Sequence, residues 1–599
     1  MAVIIRTVVL VILGTVLSSP CLRAADRTNE KGGIHWEPWS DSIFERAKKE
    51  NKFVLLDLEA VWCHWCHVMD EKTYGDPKVI QAIQSNYIAV RVDQDSRPDL
   101  SNRYEDYGWP ATVVFKPDGS EIVKRSGFLP PEEMTSILKA IVKDPTPGPS
   151  VEPPKTIHFT QNTSLSPELR KELNGKLVRG YDSKMGGWGT GGQKFLEWDN
   201  IDYCLTLAAL GNYPAERMAR QTLAAQTKLI DPIWGGVYQY STDGDWDHPH
   251  YEKLIQFQGE NMRIYAKAFC LWNDMTYLQA AQDVHRFVTD FLTSPEGAFY
   301  TSMDADLVPG QHAEGYFELG DAERRKKGIP RIDKHIYSRE NGWVICGLAA
   351  LYGAIGGDPY LEEATKASDW IIANRSLPGG GFRHDASDPS GPYLGDTLQM
   401  GRAFLMLYTA TANRKWLSRA EKAAVFIEKH FKDKAGYATA DMKTSGIHRP
   451  APQLDENVII ARFTNLLFHY TGNQNYRAMA EHAMAYLSTP DIARSRGYFV
   501  GGVLLADREL SSVPLHITVV GPKNDPIAIA LFTSATSYPG TYKRVEWWDK
   551  SEGPLSNPDV EYPNLKISAA FICTNTSCSS PVFKADELRE RIDQALRKK

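Results

Sequence analysis

Cys63 and Cys66, within Val61-Trp62-Cys63-His64-Trp65-Cys66-His67, form a Cys-x-x-Cys pair entered from the apolar run Phe53-Val54-Leu55-Leu56-Asp57-Leu58. A β-type run ending in such a pair suits a strand-to-helix turn, which puts the first thiol at a helix N-terminus. The helix dipole lowers a thiol pKa there, so Cys63 reads as the nucleophile, more exposed and more acidic than its partner. Cys66, one turn further on, is placed to attack a mixed disulfide on Cys63 and release the partner reduced. The same residues also fit a c-type haem attachment pattern, and the two thiols with His64 and His67 fit a four-ligand zinc site. The setting favours redox exchange. Asp57 stands six residues before Cys63, Trp62 directly before it, and Trp109-Pro110-Ala111-Thr112 precedes the apolar strand Val113-Val114-Phe115.

A second group of titratable residues lies far downstream. His248, His250, Glu252 and Lys253 form the densest such cluster of the chain, and paired histidines beside a carboxylate suit proton abstraction next to a sugar carbonyl. Asp304 and Asp306 offer the paired carboxylates of glycoside hydrolysis. The plainer and favoured reading is that these side chains cap helices and brace loops. Metal binding by His248 and His250 is weaker still, because a pair two residues apart across a proline lacks a shared helix face and no third ligand is spaced for it. No metal and no cofactor is expected.

The redox stretch resembles thioredoxin from about residue 35 to 142. Asp57-Leu58-Glu59-Ala60-Val61-Trp62-Cys63 is similar to its active-site approach, and Tyr107-Gly108-Trp109-Pro110-Ala111-Thr112 to its cis-proline loop. The resemblance implies that Asp57 accepts the proton of Cys66 and that Pro110, in cis, presents backbone to an extended partner segment. His64-Trp65 departs from the Gly-Pro of thioredoxin. A histidine there favours a Cys63 thiolate, with Trp62 and Trp65 as further modulators, and the redox direction stays open.

The elements that position these residues follow from length and pattern. A chain of 599 residues exceeds what one core serves. A net charge of -6 without blocks of like charge gives no reason to expect a nucleic-acid partner. Arg6, the apolar run Thr7 to Leu17 and the exit Cys21-Leu22-Arg23-Ala24-Ala25 read as a signal peptide over 1-25, cleaved near Ala24 or Ala25. The expected address is therefore exported, periplasmic or secreted, with no stable membrane span after cleavage. An uncleaved anchor is the alternative, and lipid attachment at Cys21 is disfavoured by Pro20. Cys204, Cys270 and Cys346 sit singly in apolar helical patterns and read as buried small hydrophobes.

Residues 33-143 read as the α/β thioredoxin-like domain and 144-156 as a stiff proline-rich linker. Over 157-510 the period becomes helical, and a glycine closely followed by an aromatic residue recurs six times, from Gly186-Gly187-Trp188 to Gly497-Tyr498-Phe499. Six such turns suggest six helical hairpins closing into an (α/α)6 toroid, with the turns and His248 to Lys253 near one mouth. Residues 511-599 read as a small α/β unit carrying Cys573 and Cys578, either a static staple or a second redox pair that relays electrons to Cys63.

The whole chain resembles the spermatogenesis-associated thioredoxin-domain family. The residues that carry this are Cys63 to Met69, Asp247-His248-Pro249-His250-Tyr251-Glu252-Lys253-Leu254, Ala298 to Asp306 and Phe571 to Cys578. The resemblance implies a redox domain joined to a six-hairpin region related in fold to sugar epimerases and glycosidases. The reading is an exported thiol-disulfide oxidoreductase acting on a protein thiol or disulfide, whose toroid binds a sugar-like ligand or the protein substrate. A carbohydrate-active enzyme (epimerase or glycoside hydrolase) with a regulatory redox domain, and a non-catalytic glycan-binding module, are the alternatives.

Overall fold

The computed structural model describes residues 30–597 except 32, 154–155, 389, 442, 444–446, 541 and 574–577. The expected signal peptide lies outside the described residues. Among those described, no helix is long and apolar enough to cross a membrane.

The N-terminal domain is built on a six-stranded sheet in the order Glu30–Lys31, Ile34–Glu37, Tyr87–Asp93, Phe53–Glu59, Ala111–Phe115, Glu121–Ser126. Phe53–Glu59 lies near its centre, parallel to Tyr87–Asp93 and antiparallel to Ala111–Phe115. Its apolar side chains are buried on both faces, which is why it reads as one apolar run rather than an alternating one. The helices Asp41–Glu50, His64–Lys72, Pro77–Asn86 and Pro131–Lys143 follow the sequence pattern, and Asp76 caps the third of these by accepting from Lys78 and Val79 N–H. A short helix, Pro98–Tyr104, was not evident from periodicity.

The central region is a closed ring. Its inner helices are Trp198–Ala209, Ile255–Trp272, Ser338–Ile355, Leu394–Thr411, Leu454–Thr471 and Gly501–Leu510, each packed on the next and the last on the first. The first five pair with the outer helix that follows each in sequence, from Tyr213–Gln226 to Gln474–Leu487. The sixth pair differs from the expectation of six consecutive hairpins. Its outer member is the first helix of the region, Pro167–Gly180, and its inner member the last, held by Arg170 Nε to Asp507 Oδ2 at 2.6 Å. Ring closure thus joins the two ends of the region.

Each Gly-aromatic turn leads from an outer helix to the next inner one, so all lie at the mouth formed by the inner-helix N-termini. Bridges such as Ile230↔Val237 and Ser376↔Phe382 close them. Gly236 shows why glycine is needed. Its φ is +76° and a Cβ there would stand 2.5 Å from the Phe287 ring.

The segment after the N-terminal domain is strapped down at intervals rather than standing off as a spacer. Gly148 N–H donates to Ile122 O, and further along Leu165 N–H donates to Asp507 Oδ1. The C-terminal unit has the sheet order Lys543–Trp548, Leu515–Val520, Ala569–Cys573, and its parallel pair is connected through the helix Pro526–Thr536. It sits at the inner-helix C-termini, where Asn557 Nδ2 reaches His469 O and Arg589 Nη2 reaches Cys270 O. The N-terminal domain covers the opposite mouth.

Candidate active site

Cys63 is the N-cap of the helix His64–Lys72, and its Sγ accepts the Cys66 N–H at 3.2 Å. The Sγ lies 3.7 Å from Trp109 O, in the cis pair Trp109–Pro110, so the proline loop faces the redox turn. Both thiols are free. Burial first, then Cys63 as hydrogen-bond partner and neighbour, and Glu59, push the Cys66 thiol well above its ordinary range. Asp57 is buried on the strand that leads into the redox turn. Arg91 Nη2 holds its Oδ2 at 2.8 Å, and burial raises its carboxyl to about 7 against that charge. Glu59, on the same face of the strand two residues on, is the carboxylate whose charge bears on Cys66.

Cys63 is the more exposed thiol of the two, as expected, yet both are buried. Only 4 % of Cys63 is accessible, because the toroid lies over it. Leu254 packs against the buried cluster of Ala60, Trp62, Cys63 and Cys66, and Ala305 N–H donates to Trp62 O at 3.4 Å. His64 does not turn to the thiol. Its Nδ1 meets Asp306 Oδ1 at 2.8 Å, and His67 Nδ1 meets Asp306 Oδ2 at 3.0 Å. His67 Nε2 faces Val61 O at 3.1 Å, with Asp304 Oδ2 at 3.6 Å. Both His67 nitrogens are thereby engaged, and among the described residues no cluster of metal-ligating side chains includes either thiol, so the haem and zinc readings do not fit. Trp65, 43 % exposed, points outward and packs near Phe128.

Asp304 and Asp306 are therefore half of a clasp between domains. Burial raises Asp304 to about 6 despite His67, whereas His64 and His67 outweigh burial at Asp306 and hold it at about 2. A second clasp stands at His384, whose Nδ1 meets Asp396 at 2.8 Å and whose Nε2 donates to Asp95 O at 2.6 Å. Burial opposes the His384 charge, but Asp396 outweighs it and lifts the ring to about 9.

The cluster expected at the toroid mouth does not converge. His248 is exposed and pairs with Asp245 at 2.9 Å, while His250 stacks on Tyr240 with Glu252 at 3.8 Å. Lys253 is fully buried against Asp231 at 2.7 Å, with Arg324 on the same carboxylate at 2.6 Å. It braces the loop. None of these side chains lines the central cavity, and neither do Asp304 and Asp306.

That cavity, about 560 Å³, runs from Trp62 and Trp109 at one end to Tyr538 and Tyr542 of the C-terminal unit at the other. Most of its charges come from the inner helices, with Asp95 and Glu105 added by the N-terminal domain and Lys543 by the C-terminal unit. Asp202 is held by Lys267, Arg263 and Arg462, and Glu260 by Arg263 and Arg402. Nearer the redox end burial raises Glu197 to about 8, Asp199 to about 6 and Glu456 to about 7. Sequence reasoning missed these residues. Their signal was present as charges inside otherwise apolar helices, at Glu260, Arg263, Lys267, Arg402 and Arg462.

Cys573 and Cys578 form a disulfide at the end of the strand Ala569–Cys573. The inner helices that separate this unit from the redox turn have up to 18 residues, hence a length of about 27 Å at about 1.5 Å per residue. The pair is a local staple, and the relay to Cys63 is not supported.

Comparison with known proteins agrees with this architecture. The family model Thioredox_DsbH, described as a protein of unknown function, DUF255, matches residues 17–143. Spermatogenesis-associated protein 20 is 27 % identical over 316 residues in mouse, and 26 % over 473 residues, or 72 % of this chain, in human. The family matched is the one the sequence resembles. The matches span 39 % of the mouse and 54 % of the human protein. The thiol:disulfide interchange protein DsbD of Campylobacter jejuni is 30 % identical over 99 residues, covering 15 % of this chain and 17 % of its own. A cellobiose 2-epimerase from Bacillus thermoamylovorans aligns with 57 % of this chain and 98 % of its own, at 12 % identity and TM-score 0.45.

Proposed function

We propose that the chain is an exported thiol-disulfide oxidoreductase working through Cys63 and Cys66. The observation that carries this is the capped Cys63 sulfur, held between the Cys66 amide and the Trp109 carbonyl, beside a Cys66 thiol kept protonated by burial. The Cys63 thiolate attacks a substrate disulfide, forming one S–S bond and releasing one substrate thiolate, which takes up a proton. Cys66 then loses its proton and attacks the Cys63 sulfur, so the substrate leaves fully reduced and the pair is oxidised to a disulfide. The reverse sequence oxidises a dithiol, and the potential of the partner sets the direction.

Because the toroid covers Cys63, a protein segment reaches it only when the clasps at Asp306 and His384 part. A small disulfide needs less opening. Trp62 and Trp109, which flank the sulfur, also line the cavity, so a sugar-like ligand bound there bears on the covered thiol. Turnover of a small aromatic disulfide and of a protein disulfide, each with dithiol reductant, tests the reading. Cys63→Ser abolishes both if it holds, and Cys66→Ser accumulates a mixed disulfide. Turnover that survives Cys63→Ser overturns it. Mass spectrometry of alkylated protein from its native compartment reads the mature N-terminus and the redox state of the pair together.

One observation favours a second reading, a carbohydrate-active toroid. Glu197 at about 8 and Asp199 at about 6 divide protonation at neutral pH between neighbouring acids, as acid-base chemistry on a sugar requires. Sugar turnover lost in Glu197→Gln supports it. Binding without turnover leaves a glycan-binding module.

A further inference from the structure

Asp93, Asp95 and Asp333 bring one carboxylate oxygen each to within 4.8 Å of one another, across the seam between the N-terminal domain and the toroid. Asp93 ends the strand Tyr87–Asp93, Asp95 follows in the turn, and Asp333 comes from the toroid strand Ile332–Asp333. Asp95 and Asp333 are buried and Asp93 half-buried. Like charges so close in a desolvated place repel by several kcal/mol unless a cation or a shared proton lies between them.

The donors around the group account for only part of its capacity. Trp62 Nε1 donates to Asp95 Oδ2 at 2.7 Å, Gln94 Nε2 to Asp95 Oδ1, and Val61 N–H to Asp93 Oδ1 at 3.4 Å. His335 Nδ1 meets Asp333 Oδ1 at 2.6 Å, and the His335 backbone N–H donates to the same oxygen at 3.2 Å. Asp333 Oδ2 is buried and has no hydrogen-bond partner. A buried acceptor without a donor costs about 1–3 kcal/mol, so a structure keeps one where something accepts its lone pair.

We propose that Asp93, Asp95 and Asp333 hold a divalent cation that ties the thioredoxin-like domain to the toroid. Three hard oxygen donors and no sulfur select calcium, magnesium or manganese over zinc or copper. Calcium suits the place best, because water and the second carboxylate oxygens fill a larger, irregular shell more readily than an ideal octahedron. The site adjoins the redox turn through the Trp62 hydrogen bond to Asp95, so its occupancy bears on the residue directly before Cys63.

Trp62 also supplies the probe. Terbium, which replaces calcium at oxygen sites, luminesces when an indole within a few ångströms is excited. The full-length protein titrated with terbium shows saturable tryptophan-sensitised emission, displaced by calcium. Trp62→Phe removes that emission while calcium still raises the melting temperature. Asp93→Asn and Asp333→Asn each weaken binding at least about tenfold, the lower bound for changes even outside a metal's own ligands. Asp93→Asn decides alone if Asp333→Asn does not fold, since Asp333 also holds His335. Absence of calcium-displaceable emission and of a calcium-dependent melting shift in the unsubstituted protein overturns the proposal and leaves shared protons. Full-strength binding by folded Asp93→Asn overturns it equally.

Discussion

Replacing Asp306 by Asn separates the clasp from the redox chemistry it covers. The carboxylate is held at about 2 instead of 3.8 by His64 and His67, which corresponds to about 2.4 kcal/mol at about 1.36 kcal/mol per pH unit. If Cys63 is reached only when the clasp parts, losing that energy raises the population of the open form about sixtyfold. The assay is the rate at which Cys63 of the reduced protein is alkylated, read by mass spectrometry, with Asp247→Asn on an exposed loop as control. The expected result is a rise approaching sixtyfold for Asp306→Asn and none for the control. A folded Asp306→Asn protein that reacts within about threefold of the unsubstituted one refutes the clasp. The pH dependence has a fixed sign. A depressed carboxyl stabilises above its unfolded pKa, so the contribution is complete above about pH 4 and fades as pH falls towards about 2, where hydrogen exchange in the helix His64–Lys72 becomes the same in both proteins.

The other clasp has the opposite sign. His384 at about 9, raised from 6.5 through Asp396, stabilises fully below pH 6.5 and loses about 3.4 kcal/mol as pH rises through 9, so melting curves fall over that window and His384→Gln flattens them. Lys253→Ala breaks a fully buried pair with Asp231 and lowers stability, by less than the about 3–5 kcal/mol of an uncompensated buried charge because Arg324 still holds Asp231, while disulfide turnover per folded molecule is unchanged. A specific loss of turnover there would restore Lys253 to the chemistry. The double substitution Cys573→Ser, Cys578→Ser opens a short loop, lowers the stability of the C-terminal unit by about 2 kcal/mol in denaturant titration, and leaves exchange at Cys63 intact.

Much of the architecture was legible because it rests on local pattern. Phe53–Glu59 shows a strand buried on both faces as an apolar run, and Gly-aromatic turns such as that at Gly236 mark tight passages where a side chain, there Phe287, leaves no room for a Cβ. What joins distant segments was not legible. His64 and Asp306 are 242 positions apart and stood out separately, each explained by local chemistry, because nothing in composition tells a loop aspartate which histidine it will meet. The recurring turns suggested six hairpins, although recurrence cannot say that the first helix is reserved for the last. The dense titratable stretch His248 to Lys253 drew attention that belonged to the sparser charges of the inner helices. A ring gathers those charges around one cavity, whereas the sequence disperses them over several hundred residues.

The stitching of the sixth helix pair sets an order of events during synthesis. Arg170 is made early and waits for Asp507, 337 positions later, which at about 5–20 residues per second takes on the order of half a minute. Until then the helix Pro167–Gly180 has early partners such as Trp188 and Tyr203 but lacks its inner partner, and the redox domain, already complete, has no closed mouth to sit on. Its thiols therefore spend that interval uncovered, open to whatever oxidant or chaperone is at hand. The finished ring has no natural beginning. Its closure depends on the pairing of its first helix with its last, so Cys63 is concealed only when the ring is finished.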